Sequence, residues 1–459
     1  MGRTTRRDLA RTALALGASL AARPLGALMP SPRAPAIRTT QGSPTDRVRV
    51  AVMGIRSRGR GLARELARLA NVEVATLCDV DRRYDAECVK AVEGVGGATP
   101  KIENDVRRAL EDPDLDALVI AAPDHWHAPA TILAVAAGKH VYVEKPCGHV
   151  PREGELLIEA QRRTGKVIHM GNQRRSWPGV NRCIEALHGG IIGRVYLART
   201  WYSNNRGSIG VGKEVEPPEQ LDWELWQGPA PRTAYRDNVH PYDWHWFERW
   251  GTGEALNNGT HELDVARWGL GVDYPTRVVS TGGRYAYRDD WEFPDTMVLT
   301  CEFGAGAAGA AITWEGRSSN RHPVEGWERG ILFHGEKGTV LQVGDAYKVF
   351  ANDAEHTLLE EVGDDRRDQV DVTDPTSPDA SLDGVHLQNF VDAVRGQVES
   401  TSPIEEAHKS VLLGHLGNIA WRVGRALEID PSNGRINNDR EAEAQWGREY
   451  EPGWEPRVP

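Results

Sequence analysis

Residues 48–79 read VRVAVMGIRSRGRGLARELARLANVEVATLCD and decide the fold of this chain. The β-branched run at 48–53 predicts a strand that is buried on both faces of a parallel sheet. Gly54 permits a tight turn after this strand, and Gly59 lets the following helix lie close to it. A second apolar run then ends in Asp79. This order of strand, turn, helix and strand predicts the opening unit of a dinucleotide-binding fold.

The turn between the first strand and the helix is the predicted phosphate-binding site, because helix N-terminal amides lack a backbone partner and favour an anion. Its residues are Gly54, Ile55, Arg56, Ser57, Arg58 and Gly59. Arg56 replaces the middle glycine of the usual G-x-G-x-x-G pattern, and its side chain can contact phosphate or a 2′-oxygen. Asp79 would accept hydrogen bonds from a ribose 2′-hydroxyl and repel a 2′-phosphate, so we expect NAD, with NADP left open by Arg56. The alternative is a glycine-turned βαβ unit that binds no ligand.

Length, net charge and cysteine content limit the classes of protein to which this sequence can belong. A chain of 459 residues is long enough for two or three domains. The formal net charge is -11 without a basic run outside the N-terminus, which argues against a nucleic-acid partner. The five cysteines are scattered without a C-x-x-C pair, so we expect buried thiols rather than disulfides or a structural zinc site.

The first 46 residues are predicted to lie outside the fold. Arg6 and Arg7 precede a weakly apolar, alanine-rich run, as in a twin-arginine export signal, and a Pro/Ser/Thr-rich linker follows. We therefore expect export to the periplasm or another extracytoplasmic location; the alternative is a cytosolic amphipathic N-terminus. No other stretch is long and apolar enough to span a bilayer, so we expect no membrane contact of the mature protein.

The rest of the chain divides by its pattern of predicted elements. Strands and helices alternate over 47–172, which predicts an α/β domain with a doubly wound parallel sheet. Alternating β-type runs between 277 and 350 predict a mostly antiparallel sheet in a second domain, assigned to 173–381. Helical periodicity returns at 382–430, and 431–459 is predicted to be an ordered, extended tail.

Polar side chains follow two adjacent strands of the predicted parallel sheet. The segment PDHWH (123–127) lies between one strand and a helix predicted at 128–137, and EKP (144–146) follows the next strand. Ligands of open α/β sheets bind outside these strand ends, so we expect the chemistry there. The spacing of His125 and His127 would suit a metal, but no second cluster completes such a site and we expect no metal.

Four motifs accompany the opening unit: AAPDHWH (121–127), EKP (144–146), GNQRR (171–175) and GEALNNGTHELDVARW (253–268). Together they resemble the glucose-fructose oxidoreductase, inositol dehydrogenase and rhizopine-catabolism (Gfo/Idh/MocA) family over nearly the whole mature chain. The resemblance implies a Rossmann domain, a second α+β domain with a large open-faced sheet, and C-terminal helices packed on the first domain. It also implies a carbohydrate substrate, a nicotinamide cofactor and a homo-oligomer, a dimer or a tetramer.

The resemblance assigns two catalytic residues. Lys145 is expected beside the reacting hydroxyl, where its charge stabilises a developing alkoxide and burial lowers its pKa. His261 is expected to be the general base. Asn257 stands where the family usually has aspartate, so a neutral amide orients the ring or binds substrate in place of a carboxylate. Outside the family context, such a lysine is usually a surface group and a lone histidine a capping or core residue.

The resemblance also predicts contacts to each ligand. Besides the phosphate-binding turn and Asp79, the expected cofactor contacts are Ala122, Pro123, Asp124, His127, Glu144, Lys145 and Asn172. The expected substrate contacts are Arg174, Trp244, His245, Asn257 and His261. Several of the fifteen tryptophans fall between 201 and 268. Their flat faces suit sugar rings, while a place in the core or at a subunit interface is equally expected.

An exported dehydrogenase has no evident pool of free NAD, so we expect a tightly bound cofactor that is regenerated on the enzyme. Paired oxidation of one sugar and reduction of another meets this condition. So does redox-neutral glycoside cleavage, similar to that of the NAD-dependent α-N-acetylgalactosaminidases of the family. We predict an NAD(P)-dependent oxidoreductase acting on a secondary hydroxyl of a sugar, polyol or glycoside. The glycosidase is the first alternative, and an inactive carbohydrate-binding scaffold is the second.

Overall fold

A computed structural model describes residues 47–363 and 380–459. The predicted export signal and linker, residues 1–46, lie outside the described residues. The strands are β1 (Val48–Met53), β2 (Val72–Cys78), β3 (Lys101–Glu103), β4 (Ala117–Ile120), β5 (His140–Glu144), β6 (Ile168–Gly171), β7 (Val195–Ser203), β8 (Arg277–Gly283), β9 (Thr296–Phe303), β10 (Ala310–Arg317), β11 (Arg329–Gly335), β12 (Gly338–Val343), β13 (Ala346–Ala351), β14 (Leu358–Val362) and β15 (Leu427–Glu428). The α-helices are α1 (Arg58–Arg68), α2 (Asp85–Glu93), α3 (Val106–Ala109), α4 (Asp124–Ala136), α5 (Pro151–Thr164), α6 (Pro178–His188), α7 (Trp223–Gln227), α8 (Glu254–Asn257), α9 (Gly259–Leu270), α10 (Ala380–Val394), α11 (Ile404–Val423) and α12 (Arg440–Glu443).

Six parallel strands form the first sheet, in the order β3-β2-β1-β4-β5-β6. The strand order reverses between β1 and β4, and ligands of such sheets bind at the carboxyl ends of the strands at this point. Val50 and Val52 of β1 are fully buried, as expected for a strand covered on both faces. The predicted doubly wound parallel sheet is confirmed.

A close contact between two glycines shapes the turn that follows β1. Gly54 has a φ of 81°, in the left-handed region, and a Cβ there would lie 2.6 Å from the amide nitrogen of Ala122. A Cβ on Gly59 would lie 1.7 Å from the carbonyl oxygen of Gly54. The packing of α1 on β1 therefore requires both glycines, whether or not a ligand is bound.

Nine strands form the second sheet, in the order β14-β13-β12-β11-β7-β10-β9-β8-β15. Neighbouring strands are antiparallel except for the parallel pair β7 and β10, so the predicted mostly antiparallel sheet is confirmed. The sheet was predicted from runs between 277 and 350, and its central strand, β7, lies earlier in the sequence than these runs. Helices α6, α9 and α11 cover one face around Trp314 and Phe333, whereas Val298 on the other face is 45% exposed.

The C-terminal helices contact both sheets. Phe390 of α10 packs in the apolar cluster around β1 and α1. In α11, Val411 packs with side chains of the first sheet and Leu416 with those of the second. The tail predicted to be extended contains one short helix, α12, at whose start Asp439 accepts a hydrogen bond from the amide of Ala442.

Several expectations concern features of the chain as a whole. All five cysteines are buried and free, as their spacing predicted. Within residues 47–363 and 380–459, no helix has the length and apolar character needed to cross a membrane. The same part of the chain holds no group of three or more His, Cys, Asp or Glu side chains arranged for a metal ion.

Candidate active site

A cavity of about 680 Å³ opens at the carboxyl ends of β1, β2, β4 and β5, and the ends of β7 and β11 border it from the second sheet. It brings together most of the residues predicted to contact cofactor or substrate: Gly54, Arg56, Ser57, Arg58, Asp79, Ala122, Pro123, Asp124, His127, Glu144, Lys145, Trp244, His245, Asn257 and His261. Four predicted residues, Ile55, Gly59, Asn172 and Arg174, do not line it.

The turn after β1 fits the pyrophosphate of a dinucleotide. Ser57, the residue that precedes helix α1, makes no side-chain cap hydrogen bond, so the first amides of the helix remain available to an anion. Arg56 lines the cavity, with its guanidinium 5.9 Å from the ring centre of Tyr84. Ile55 supports the turn from within, because its side chain is buried and its amide donates to Asp79 at 2.7 Å. The residues of the turn are therefore compatible with the predicted cofactor.

Asp79 lies at the end of β2 on the cavity wall. Its Oδ2 accepts the amide of Ile55 at 2.7 Å, and its Oδ1 accepts the amide of Asp81 at 2.9 Å. These bonds orient the carboxylate and leave lone pairs for a ribose hydroxyl. Burial raises the pKa of Asp79 to about 6, although the two backbone bonds oppose the rise. Asp79 is thus charged at neutral pH and takes up a proton in mildly acidic solution.

Arg58, at the start of α1, is held between two carboxylates. Its Nε donates to Glu144 at 2.7 Å, and its Nη atoms donate to Asp383 of α10 at 2.5 and 3.2 Å. Burial by itself would raise the pKa of Glu144, but the charges of Arg58 and Lys145 outweigh it and lower the pKa. Arg58 therefore connects α1 and α10 to the Glu-Lys-Pro motif, a link that the sequence did not indicate.

Lys145 and Asn257 meet in the cavity. The Nζ of Lys145 donates to Oδ1 of Asn257 at 3.2 Å. Burial lowers the pKa of Lys145, whereas the charges of Glu144 and Asp124 act in the opposite direction. Because an amide oxygen accepts a hydrogen bond without carrying a full charge, Asn257 orients the ammonium but does not neutralise it.

His261 lies in the first turn of α9 and lines the same cavity. Its Nδ1 is buried and has no hydrogen-bond partner in the described part of the chain. Burial, followed by the charges of Arg329 and Lys145, holds the pKa of His261 well below its usual value. The imidazole is therefore neutral at pH 7 and can accept a proton.

Asp124 and His127 lie in the first turn of α4, so the prediction that this helix begins at 128 is wrong. The hydroxyl of Thr252 donates to Asp124 at 2.6 Å, and this bond stabilises the carboxylate that begins the helix. The ring nitrogens of His127 lie 2.5 Å from the carbonyl oxygen of Pro146 and 2.8 Å from that of Ala122. His127 therefore joins the segments that follow β4 and β5.

Two of the predicted substrate contacts form a stacked pair on the cavity wall. The rings of Trp244 and His245 lie 3.6 Å apart between centres, at 19° to each other. Nδ1 of His245 lies 2.6 Å from the carbonyl oxygen of Tyr242, and burial holds the pKa of His245 well below its usual value. Trp223 and Trp250 instead pack in an aromatic cluster away from the cavity lining, the core position that the sequence left open.

Asn172 and Arg174 take part in buried polar contacts instead of lining the cavity. Nδ2 of Asn172 donates to Asp264 at 2.8 Å, and Oδ1 of Asn172 accepts from the hydroxyl of Ser402. Arg174 forms an ion pair with Glu262 at 3.2 Å. The structure therefore places these two predicted ligand contacts behind the cavity wall.

Further residues line the cavity without having been predicted, and they include five polar or aromatic side chains. Tyr202 and Asn204 come from the end of β7, Trp327 and Arg329 from the start of β11, and Asn258 follows Asn257. Of these five, only Asn258 carried a sequence signal, since it lies within the longest of the four motifs. The others reach the cavity because β7 pairs with β11, and this pairing is not readable from either segment alone.

The C-terminal tail contacts the first turn of α4. Nη2 of Arg448 donates to the carbonyl oxygen of His125 at 2.6 Å, and its Nε donates to the buried Glu153 at 2.8 Å. Trp454 packs edge to face on Trp126, with 5.2 Å between ring centres. The tail therefore supports the strand-end segment that carries part of the cavity lining.

Two family descriptions match the chain: "Oxidoreductase family, NAD-binding Rossmann fold" over residues 48–172 and "Oxidoreductase family, C-terminal alpha/beta domain" over residues 230–425. The levoglucosan dehydrogenase of Pseudarthrobacter phenanthrenivorans is 25% identical over 268 residues, which cover 53% of this chain and 61% of that protein. Glycosyl hydrolase family 109 protein 2 of Shewanella sp. (strain MR-4) is 33% identical over 255 residues, which cover 54% and 51%. The chain thus spans about half to three fifths of the length of these curated relatives.

The fold also matches a solved structure of levoglucosan dehydrogenase in complex with NADH and levoglucosan. The TM-score is 0.62 at 17% sequence identity, and the match covers 83% of this chain and 99% of that chain. At this identity the likeness concerns the fold alone. The two family descriptions, in contrast, cover the first sheet, most strands of the second sheet and most of the chain. The chain therefore belongs to the Gfo/Idh/MocA oxidoreductase family, which joins an NAD-binding Rossmann fold to a C-terminal α/β domain.

Proposed function

We propose that this protein is an NAD-dependent oxidoreductase that acts on a secondary hydroxyl of a sugar, polyol or glycoside. The observation that carries the proposal is the meeting of Lys145, Asn257 and His261 in one cavity with the dinucleotide turn at Gly54. Asp79 supports NAD over NADP, because its carboxylate would repel a 2′-phosphate. The names of the curated relatives support a carbohydrate substrate.

The cavity residues have distinct roles in this reaction. A nicotinamide ring, when bound, supplies the acceptor for the hydride that leaves the carbon bearing the hydroxyl. His261 accepts the hydroxyl proton, since its low pKa keeps the ring neutral. Lys145 places its ammonium beside the oxygen on which negative charge develops, and Asn257 holds its Nζ in position at 3.2 Å.

The proposal includes export and a tightly bound cofactor. The twin-arginine pattern at Arg6 and Arg7 supports export. Retention is supported by the loop that carries His240, whose Nε2 lies 2.8 Å from Oδ2 of Asp81 just beyond β2. His240 and Tyr242 of this loop also line the cavity, so the loop borders the space in which the cofactor would lie. We further propose a homo-oligomer, which rests on the family resemblance alone.

Redox-neutral cleavage of glycosides is the second candidate. The 33% identity to glycosyl hydrolase family 109 protein 2 supports it. In this route oxidation of a ring hydroxyl acidifies the neighbouring C–H, the aglycone leaves by elimination, water adds, and the carbonyl is reduced again. A cofactor that never leaves the protein suits this cycle, because no net redox change occurs.

One experiment separates the two candidates. Purified protein without added nucleotide is mixed with aryl glycosides and free sugars, while aglycone release and nicotinamide absorbance are followed. An oxidoreductase should show an absorbance change on addition of sugar, whereas redox-neutral cleavage should show repeated aglycone release without net reduced cofactor. Lys145→Ala and His261→Ala should each slow either reaction by about 100-fold or more while the cofactor stays bound. Absence of both signals with wild-type protein would favour a non-catalytic scaffold.

A further inference from the structure

The segment between β10 and β11 forms a wall of the cavity that the proposed chemistry does not use. Arg321, Pro323, Gly326, Trp327 and Glu328 all line the cavity from this segment. A wall this close to a catalytic centre bears on which substrates fit.

Hydrogen bonds within the segment and to the second sheet hold the wall in place. Val324 and Trp327 exchange two backbone hydrogen bonds, each 2.9 Å long. The two residues between them, Glu325 and Gly326, have φ values of 53° and 85°, as in a type I′ turn. The indole nitrogen of Trp201 donates to the carbonyl oxygen of Trp327 at 2.9 Å. The position of Trp327 is therefore set by the fold.

The second sheet supports the wall from behind. The amide and the hydroxyl of Ser203, at the end of β7, both donate to the carbonyl oxygen of Glu328, at 2.7 and 3.0 Å. Trp327 packs against the apolar cluster that contains Trp201 and Leu332, and it also lines the cavity. Trp327 thus lies between the sheet and the cavity, as an aromatic platform requires.

The wall runs outward from the catalytic end of the cavity. Nε of Arg329 donates at 2.9 Å to Glu262, which follows His261 directly in α9. Trp327 is half-buried, and Gly326 is exposed at the rim. The cavity lining therefore extends from the neighbourhood of His261 to an exposed rim at Gly326.

We propose that Trp327 forms a subsite for the second ring of a glycoside, so that the substrate is a glycoside rather than a free monosaccharide. This inference rests on the proposed function and names the substrate class of the same site. The flat face of an indole suits the C–H face of a sugar ring or the ring of an aryl aglycone. Arg321 and Glu328, which are hydrogen-bonded to each other, present donors and acceptors for hydroxyl groups at the rim.

The test compares glycosides with their free sugars on protein loaded with NADH, which offers no hydride acceptor, so that binding is measured without turnover. Titration calorimetry measures the dissociation constants of p-nitrophenyl glucosides, galactosides and N-acetylglucosaminides of both anomeric forms, and of the three free sugars. At least one glycoside should bind about tenfold more tightly than its free sugar. Trp327→Ala should remove this advantage and leave the affinity for the free sugar unchanged, whereas Trp327→Phe should retain most of it.

Tyr285→Ala is the matched control, because Tyr285 is 71% exposed and does not line the cavity. It should leave both affinities unchanged. Equal binding of glycoside and free sugar, or an equal loss for both in Trp327→Ala, would overturn the subsite. Binding and oxidation of free sugars alone would overturn the subsite while leaving the proposed function intact. If the protein binds neither form of any sugar, the proposed function fails as well.

Discussion

Single charges determine the chemistry that the cavity residues offer. His261 is neutral because burial and neighbouring cations disfavour its protonated form. Lys145 is paired with the amide of Asn257, and burial lowers its pKa. A neutral base and a lysine whose hydrogen-bond acceptor is a neutral amide thus share one cavity. This combination suits removal of a hydroxyl proton followed by stabilisation of the resulting negative charge.

Asn257→Asp should move the pH dependence of the reaction to higher values. A carboxylate within hydrogen-bond distance of Nζ favours the protonated lysine, so the pKa of Lys145 should rise. The alkaline limb of kcat/KM should therefore shift upward by about one pH unit. Asn205→Asp, an exposed residue off the cavity, is the control and should leave the profile unchanged. An unshifted alkaline limb in Asn257→Asp would show that the charge of Lys145 does not set it.

The preference for NAD over NADP should weaken in acid. The pKa of Asp79 is raised to about 6, so lowering the pH through this value protonates the carboxyl and removes its repulsion of a 2′-phosphate. The ratio of the NADP to the NAD dissociation constant should therefore decrease as the pH is lowered from about 7.5 to about 5.5. Fluorescence titration measures both constants. Asp79→Asn lacks the ionising group, so its ratio should be small and nearly independent of pH. If the wild-type ratio were equally small and equally independent of pH, another residue would determine the cofactor preference.

Individual elements hold these residues in place over long sequence distances. Arg58 of α1 connects to Asp383 of α10 and to Glu144 after β5. The tail reaches α4 through Arg448 and the buried Glu153. Each of these contacts joins a segment that lines the cavity at the end of a strand to an element that is distant in sequence. The geometry of the cavity therefore depends on contacts outside its lining.

Arg448→Ala should destabilise the protein by about 3 kcal/mol, because it leaves the buried carboxylate of Glu153 without its cation. Adding Glu153→Gln should recover part of this loss, since the double variant buries no unpaired charge. Urea unfolding measures both effects. Arg425→Ala, which removes an exposed ion pair with Asp439, is the control and should have a negligible effect. Equal losses in Arg448→Ala and Arg425→Ala would show that the tail contact contributes no more than a surface pair.

The whole molecule combines two sheets that each supply one side of the cavity. The parallel sheet contributes Asp79 and Lys145 at its strand ends, and the second sheet contributes Tyr202 and Arg329. A cofactor loaded before export would accompany a folded protein of this kind, because the twin-arginine route carries folded cargo. The proposed location and the proposed retention of the cofactor are therefore linked.

Replacing Arg6 and Arg7 together by lysine should abolish export. The folded protein with its cofactor should then accumulate in the cytoplasm, because this signal type is recognised through its arginine pair. Cell fractionation and immunoblotting measure the distribution. Arg3→Lys is the matched control and should be exported like the wild type. Unchanged export of the double variant would contradict the proposed location and remove the main reason for a retained cofactor.

Local patterns carried the prediction of the fold and of much of the site. Each signal lies within one βαβ unit or at the end of one strand. The signals are the glycine spacing at Gly54 and Gly59, the acidic Asp79, and the polar segments after β4 and β5. Parallel strands bring such ends to the same edge of a sheet, so their convergence follows from the pattern itself. The chemistry of the Lys145 and His261 pair came instead from the family resemblance.

The sequence by itself determined the parallel sheet, the dinucleotide turn and the strand-end location of the cavity, because these depend on interactions between residues close in the chain. Only the tertiary structure decided that Asn172 and Arg174 lie behind the cavity lining instead of in it. The same holds for the place of Trp327 in the lining and for the contact of Arg448 with α4. These positions depend on pairing and packing between distant segments. The hydrophobic pattern of a strand or helix shows which of its faces is buried, but it does not show which distant segment packs against that face.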